Sequence, residues 1–186
     1  MKKTLLIVAL LGLLVGIYAF HTSSVNSYLL TPNGVDYIRL GRDFVENPPQ
    51  GALYDNVKID SDEYNTYYVF YRQGMEIGSA IADKTRKIHS IRVYDCPVHL
   101  DNGIRIGSSI REAWAKEGVG VNVLYYLDEP EASPSITLTY KGIDILLSVE
   151  DLSSSGKKKI ENYAYQLQPA DFNPKGTVRG FLVPAQ

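Results

Sequence analysis

The string Ile38-Arg39-Leu40-Gly41 returns as Ile104-Arg105-Ile106-Gly107, and Tyr71-Arg72-Gln73-Gly74-Met75-Glu76-Ile77 returns as Tyr140-Lys141-Gly142-Ile143-Asp144-Ile145. Lys87-Ile88 then matches Lys159-Ile160, so the three offsets are 66, about 68 and 72. Offsets that drift only by small loop insertions are how a duplicated supersecondary unit looks in sequence. They predict two tandem repeats, about 34–98 and 103–168, meeting at the stretch from Lys87 to Gly118.

Each unit reads as strands with one helix. Leu53 to Ile59, Thr66 to Arg72, Glu76 to Ala82 and Lys87 to Tyr94 are rich in Tyr, Val and Ile and are parted by Asp, Ser, Gly or Lys, the pattern of a β-meander. In the second unit Ile136, Leu138 and Tyr140 alternate with Ser135, Thr137 and Thr139, as in a strand with one wet face. Ile143, Ile145, Leu147 and Val149 continue that strand pattern across Lys141-Gly142, a tight hairpin connection. Ile110 to Glu117 is the best helix: Ser109 and Glu112 have capping-box spacing, Gly118 follows, and Ile110, Ala113 and Trp114 form an apolar stripe. Trp114 is therefore expected largely buried against the sheet, coupling the two repeats. Arg42 to Glu46 reads as at most one or two helical turns, stopped by Pro48-Pro49, with Phe44 as its apolar contact. Glu129 to Pro134 and Ser153 to Lys159 read as mobile hairpin tips, and Thr177 to Val183 as one last strand. The expected class is α+β, two tandem repeats of a short helix plus an antiparallel β-meander, with a mostly antiparallel sheet.

The first twenty residues stand apart from this plan. Lys2 and Lys3 precede an uncharged, largely apolar run from Leu5 to Phe20, the n-region and h-region of an export signal. Its sixteen residues fall between a typical signal core and the roughly 17 to 25 residues of a membrane span, so a cleaved signal peptide and an uncleaved N-terminal membrane anchor both stay open. Ile17 two positions before Ala19 makes a poor cleavage site, and Thr22-Ser23-Ser24 only a modest one. Either way the lysines are retained and the rest is exported, to the periplasm or beyond, secreted or anchored by residues 5–20. Residues 21–33 read as a polar tether ending in the turn signal Thr31-Pro32-Asn33-Gly34, and residues 34–186 as a single duplicated domain. Membrane contact is expected only through the N-terminal segment.

Composition narrows the partners. With 45% hydrophobic and 22% charged residues among 186, the chain is ordinary globular material for one domain. Taking Lys2 and Lys3 from a formal charge of −2 leaves about −4, which argues against a nucleic-acid partner. Cys96 is the only cysteine, so no internal disulfide forms and burial must supply stability.

The stretch from Ile88 to Gly118, with its strand, its link ending in Asn102-Gly103, its Gly107-Ser108 and its helix, resembles the second half of the RpoE-regulated lipoprotein family, an envelope family of unknown function. The tandem layout is similar to that of β-lactamase inhibitory proteins and of the small lipoprotein of the outer-membrane assembly machine. The likeness implies an envelope address and carries over no catalytic residue. The chain departs from it in having no lipid-attachment cysteine after the apolar run.

Motifs for chemistry are sparse. Cys96-Pro97-Val98-His99, with His89 seven residues earlier, offers too few ligands for a zinc site and no orienting group for a thiolate catalyst. His89 lies on the side of its strand shared by Ile91 and Val93, the place of a half-buried, satisfied histidine. Asp60-Ser61-Asp62-Glu63 opens like a calcium loop, but Asn65 and Tyr71 stand where that loop needs glycine and glutamate, so a solvated turn is expected. Lys157-Lys158-Lys159 after Ser-Ser-Ser-Gly fits a soluble turn and edge guard. No cofactor, metal or catalytic residue is expected. Tyrosine is the unusual quantity: fourteen, with Tyr67-Tyr68 and Tyr125-Tyr126 adjacent, so that each pair puts one ring in the core and one toward solvent or a partner. The reading is a non-enzymatic exported protein that binds another envelope protein or inhibits an enzyme. The alternative is an enzyme or carbohydrate-binding protein with a site of scattered acids and tyrosines.

Overall fold

A computed structural model describes residues 27–124, 134–163 and 166–185. In chain order they form β1 Tyr28–Thr31, β2 Gly34–Val35, β3 Ile38–Arg39, β4 Asn56–Ser61, β5 Thr66–Arg72, β6 Met75–Ala82, β7 Ile88–Tyr94 and β8 Val98–His99. After these come α1 Ile110–Trp114, β9 Gly120–Leu124, β10 Ser135–Tyr140, β11 Ile143–Leu146, α2 Ser154–Glu161 and β12 Gly180–Val183. The class is α+β, as the sequence pattern implies.

Two sheets carry the fold. The larger has eight strands in the order β4-β5-β6-β7-β12-β11-β10-β9, each antiparallel to its neighbours. The smaller runs β3-β2-β1-β8, with β1 parallel to β8. Two hairpins of the large sheet turn in the same way. Gln73-Gly74 and Lys141-Gly142 both have positive φ at each central residue (53° and 78°, then 49° and 78°), the backbone whose twist matches that of the flanking strands.

Alternation then decides what is buried. Tyr68 and Phe70 of β5, Ile91 and Val93 of β7, Phe181 and Val183 of β12, and Ile143 and Ile145 of β11 all point to one side of the large sheet and are nearly inaccessible. The loop between β3 and β4 lies over that side. It brings Phe44 into a flat stack on Tyr68, with centroids 4.4 Å apart and planes 5° from parallel, and its Tyr54 packs at 5.7 Å from Phe70. Gly78 of β6 fits beneath the Phe70 ring, where a β-carbon would meet ring atoms at 2.5 Å and the Arg92 carbonyl oxygen at 2.4 Å. A second cluster, Ile110, Val123, Ile136, Leu152, Ile160, Leu167 and Phe172, closes the other end of the same side.

Several sequence expectations need correction. Ser153 to Lys159 is no hairpin tip: it opens α2, which packs Ile160 inward and is capped by the Ser153 hydroxyl accepting from the Gly156 amide. The lysine triplet therefore belongs to a helix. Its Lys159 ammonium donates to the buried Asp171 carboxylate at 2.7 Å, and Gln168 N donates to the same oxygen at 2.7 Å. Burial alone would raise Asp171, yet the bonds from Lys159 and Gln168 outweigh it and hold the carboxyl below its usual range.

The remaining differences are local. No helix forms at Arg42 to Glu46, which is irregular, with a bend at each end. Residues 28–33, read as tether, are β1 and the turn into β2. The helix α1 stops at Trp114, and the Ser109 hydroxyl makes no capping bond to it, because the Ser109 main chain bridges to Thr177 instead. Trp114 is half-buried rather than largely buried. It packs against both apolar clusters and meets Phe172 edge-on at 5.9 Å.

The two copies inferred from sequence agree with the structure unevenly. Tyr71–Ile77 and Tyr140–Ile145 span equivalent hairpins, and both halves of the sheet run from edge to centre in chain order. Lys87-Ile88 leads into β7, however, while Lys159-Ile160 lies in α2, and the first half has no α-helix among its described residues. A tandem repeat is not established by these correspondences. The apolar leader lies outside the described residues, and so does the expected tip Glu129 to Pro134 apart from Pro134 itself. Among those described, no helix is long and apolar enough to cross a membrane.

Candidate binding face

The side of the large sheet opposite the core carries no buried large apolar side chain, so no second layer covers it among the described residues. Strand register gives its rows. One runs Lys58, Val69, Ser79, Arg92, Leu182, Asp144, Thr139 across seven strands. Beside it lie Tyr67 paired with Ile81, and Tyr94, Gly180, Leu146 and Thr137 in series. Val69, Ile81, Leu182, Leu146, Tyr67, Tyr71 and Tyr94 are all half-buried, which leaves a broad, shallow surface of aliphatic and tyrosyl groups.

Polar contacts fix several of its rings. The Tyr94 hydroxyl donates to the Glu76 carboxylate, and Tyr94 is raised well above the ordinary phenol range by burial first and that bond second. A β-bulge between Phe70 and Tyr71 puts Tyr71 opposite Glu76, so these two tyrosines and one acid share a corner of the face. Tyr67 donates to Asp62 at 2.8 Å. That carboxylate also accepts from the Tyr64 and Asn65 amides at 2.7 Å each, and these bonds, led by Tyr64, lower it. Asp62 thus stiffens its own turn, and the Asp60–Glu63 run folds as a hairpin connection with no calcium-loop geometry.

Asp144 sits on the face between Leu182 on β12 and Thr139 on β10, and its carboxylate has no hydrogen bond or ion pair among the described residues. Desolvation by these neighbours raises its carboxyl.

The expected partner-facing tyrosines fall as follows. Tyr67 is on the open face and Tyr68, 2% exposed, is the core member of the pair. Tyr125 and Tyr126 lie outside the described residues. Tyr71 and Tyr94 were not singled out from sequence, although their place on alternating strands could have marked them.

The cysteine-histidine motif does not assemble into a site. Cys96 is buried, and its thiol is pushed up to about 12 by burial, against a smaller lowering by Arg72. His99 Nδ1 pairs with the Ser27 hydroxyl at 2.7 Å. His89, left unpartnered by a β-bulge of β7 against β6, is half-buried with Asn65 Oδ1 at 3.5 Å. No three His, Cys, Asp or Glu side chains among the described residues could hold a metal together. A groove of about 530 Å³ among the described residues is shallow and lined by Ile104, Arg105, Ser108, Glu112 and Lys116 among others; Glu112 is the one carboxylate in that lining.

No family model matches the chain, and no curated protein matches its sequence. The chain is similar to the crystal structure of the uncharacterized protein yfeY from Escherichia coli, at 14% identity and a TM-score of 0.52, covering 82% of this chain and 97% of that one. The likeness is one of fold alone.

Proposed function

We propose that the chain is an exported envelope protein, secreted or tethered by residues 5–20, that binds another protein through the open face of its eight-stranded sheet. The observation that carries this reading is the uncovered surface of Tyr67, Val69, Tyr71, Ile81, Tyr94, Leu146 and Leu182. Half-buried tyrosines lose little entropy when a partner covers them, and they combine an apolar body with a polar tip. Asp144 adds a reason for a partner: a desolvated carboxylate without a counter-charge costs the free protein stability that a cation from outside would return. The kinship of fold with an uncharacterized bacterial protein fits this reading without assigning an activity. Among the described residues no group of three His, Cys, Asp or Glu side chains converges, so the enzymatic or sugar-binding reading has no observation there to match the open face.

Site-specific photocrosslinking in intact cells tests the proposal. A benzophenone amino acid at Tyr71 or Tyr94 should give one discrete protein adduct in the extracytoplasmic fraction. The same probe at Lys175, exposed and away from this face, should give none. Adducts absent from both face positions, or equally strong at Lys175, would remove the face from consideration.

A further inference from the structure

The large sheet is open, and its two edges differ. Strand β4 at one edge carries Lys58 and Asp60, charges of the kind that discourage edge-to-edge pairing. Strand β9 at the other edge carries neither charge nor proline, and the sequence from Gly118 to Leu127 contains none at all. Among the described residues, β10 alone pairs with β9, so the outer row of β9 amides and carbonyls has no main-chain partner. Exposed apolar edges of this sort accept a further strand.

The residues of β9 also fit their own image. In an antiparallel pair centred on Asn122, Gly120 lies opposite Leu124, Val121 opposite Val123, and Asn122 opposite Asn122. On the open face, the exposed Leu124 (52% accessible) would extend over Gly120, which has no side chain to obstruct it. The two Asn122 amides would meet at the twofold axis, where each can donate and accept. On the core side a valine faces a valine, and Val121 is only half-buried in the single chain. No like charges are brought together. We propose that β9 is a self-association edge, at which a second copy of this chain adds its own β9 antiparallel about a twofold at Asn122 and joins two eight-stranded sheets into one. A symmetric contact of this kind closes at two copies.

Disulfide trapping on the full chain tests it. Opposed residues in an antiparallel pair stand about 4.5–5.5 Å apart at Cα, inside the window of about 4.4–6.8 Å that a disulfide requires. Asn122→Cys should therefore trap a covalent dimer under mild oxidation, whereas Asp60→Cys on the far edge should not; native Cys96 is buried and stays out of the reaction. In detergent, Asn122→Lys should lower the dimer fraction more than tenfold while leaving circular dichroism unchanged, and mixing it with Asn122→Asp should restore the dimer. Association through the apolar leader would not respond to residue 122. Absence of an Asn122→Cys dimer, equal trapping at Asp60→Cys, or undiminished association of Asn122→Lys would overturn the proposal.

Discussion

Replacing Lys159 by Met isolates the one ion pair among the described residues in which a carboxylate is almost wholly withdrawn from water. The Asp171 side chain is 6% accessible and that of Lys159 is 40%. Removing one partner of a fully buried pair costs about 3–5 kcal/mol, because the remaining charge is left uncompensated. Here the cation is partly wet and the Gln168 amide stays on the carboxylate, so the loss should be smaller, about 1.5–3 kcal/mol, the worth of one hydrogen bond to a charged group. Against a total on the order of 5–15 kcal/mol, that is a visible shift of a urea midpoint.

The pH dependence gives the sharper check. In the wild type the folded carboxyl lies below its unfolded value, so its contribution is complete above the unfolded value and disappears as pH falls through the folded one. Without Lys159 the folded value rises toward the unfolded one, so the window of acid loss narrows from its lower end and the Asp171 share of the acid limb should shrink. Urea unfolding of wild type, Lys159→Met and Asp171→Asn between pH 3 and 7 separates these cases. A Lys159→Met midpoint equal to wild type at pH 7, with an unchanged acid limb, would refute the role given to the pair.

Two further outcomes follow from the fold. Trp114→Ala should lose about 2–4 kcal/mol, less than a fully buried tryptophan, while Ser109→Ala, which removes no capping bond, should fall within about 0.5 kcal/mol of wild type in the same urea melts. Cys96 should react with a thiol reagent at pH 8 only as fast as the chain unfolds, and Cys96→Ala should leave the metal content measured by elemental analysis unchanged.

The strands were legible because their chemistry is local. Alternation of polar and apolar residues marks Ser135–Tyr140 without any knowledge of its neighbours, although Thr137 on the polar side is itself buried, and Lys141-Gly142 announces its own turn. What a strand sits beside is not local: Gly180–Val183 reads as a last strand, but nothing in those four residues says that it lies between β7 and β11. The helix α2 was missed because Ser153-Ser154-Ser155-Gly156 reads as a turn in isolation. Gly156 is there for a tertiary reason, since a β-carbon would sit 2.2 Å from the Asp171 carbonyl oxygen. The capping box failed for the same kind of reason: main-chain pairing to a segment almost seventy residues away displaced the local pattern at Ser109. Of the open face, Tyr67 was visible from its paired neighbour, whereas the Tyr71-Glu76-Tyr94 corner depends on a bulge that leaves no mark in composition.

The position of β12 also sets an order of events. Strands β4 to β7 can zip as a meander, and β9 to β11 as another, each by short-range closure. The two meanders have no shared hydrogen-bonded neighbour until Gly180–Val183 enters between β7 and β11. That strand leaves the ribosome after every other element described here, and its pairing with β7 spans almost ninety residues. Until it arrives, the emerging chain holds two half-sheets with their central edges unpaired, kept apart by the entropy of a long loop rather than by any barrier of packing. Such a chain completes its sheet only once the last of these twelve strands has been made, and until then the two half-sheets stay loosely joined.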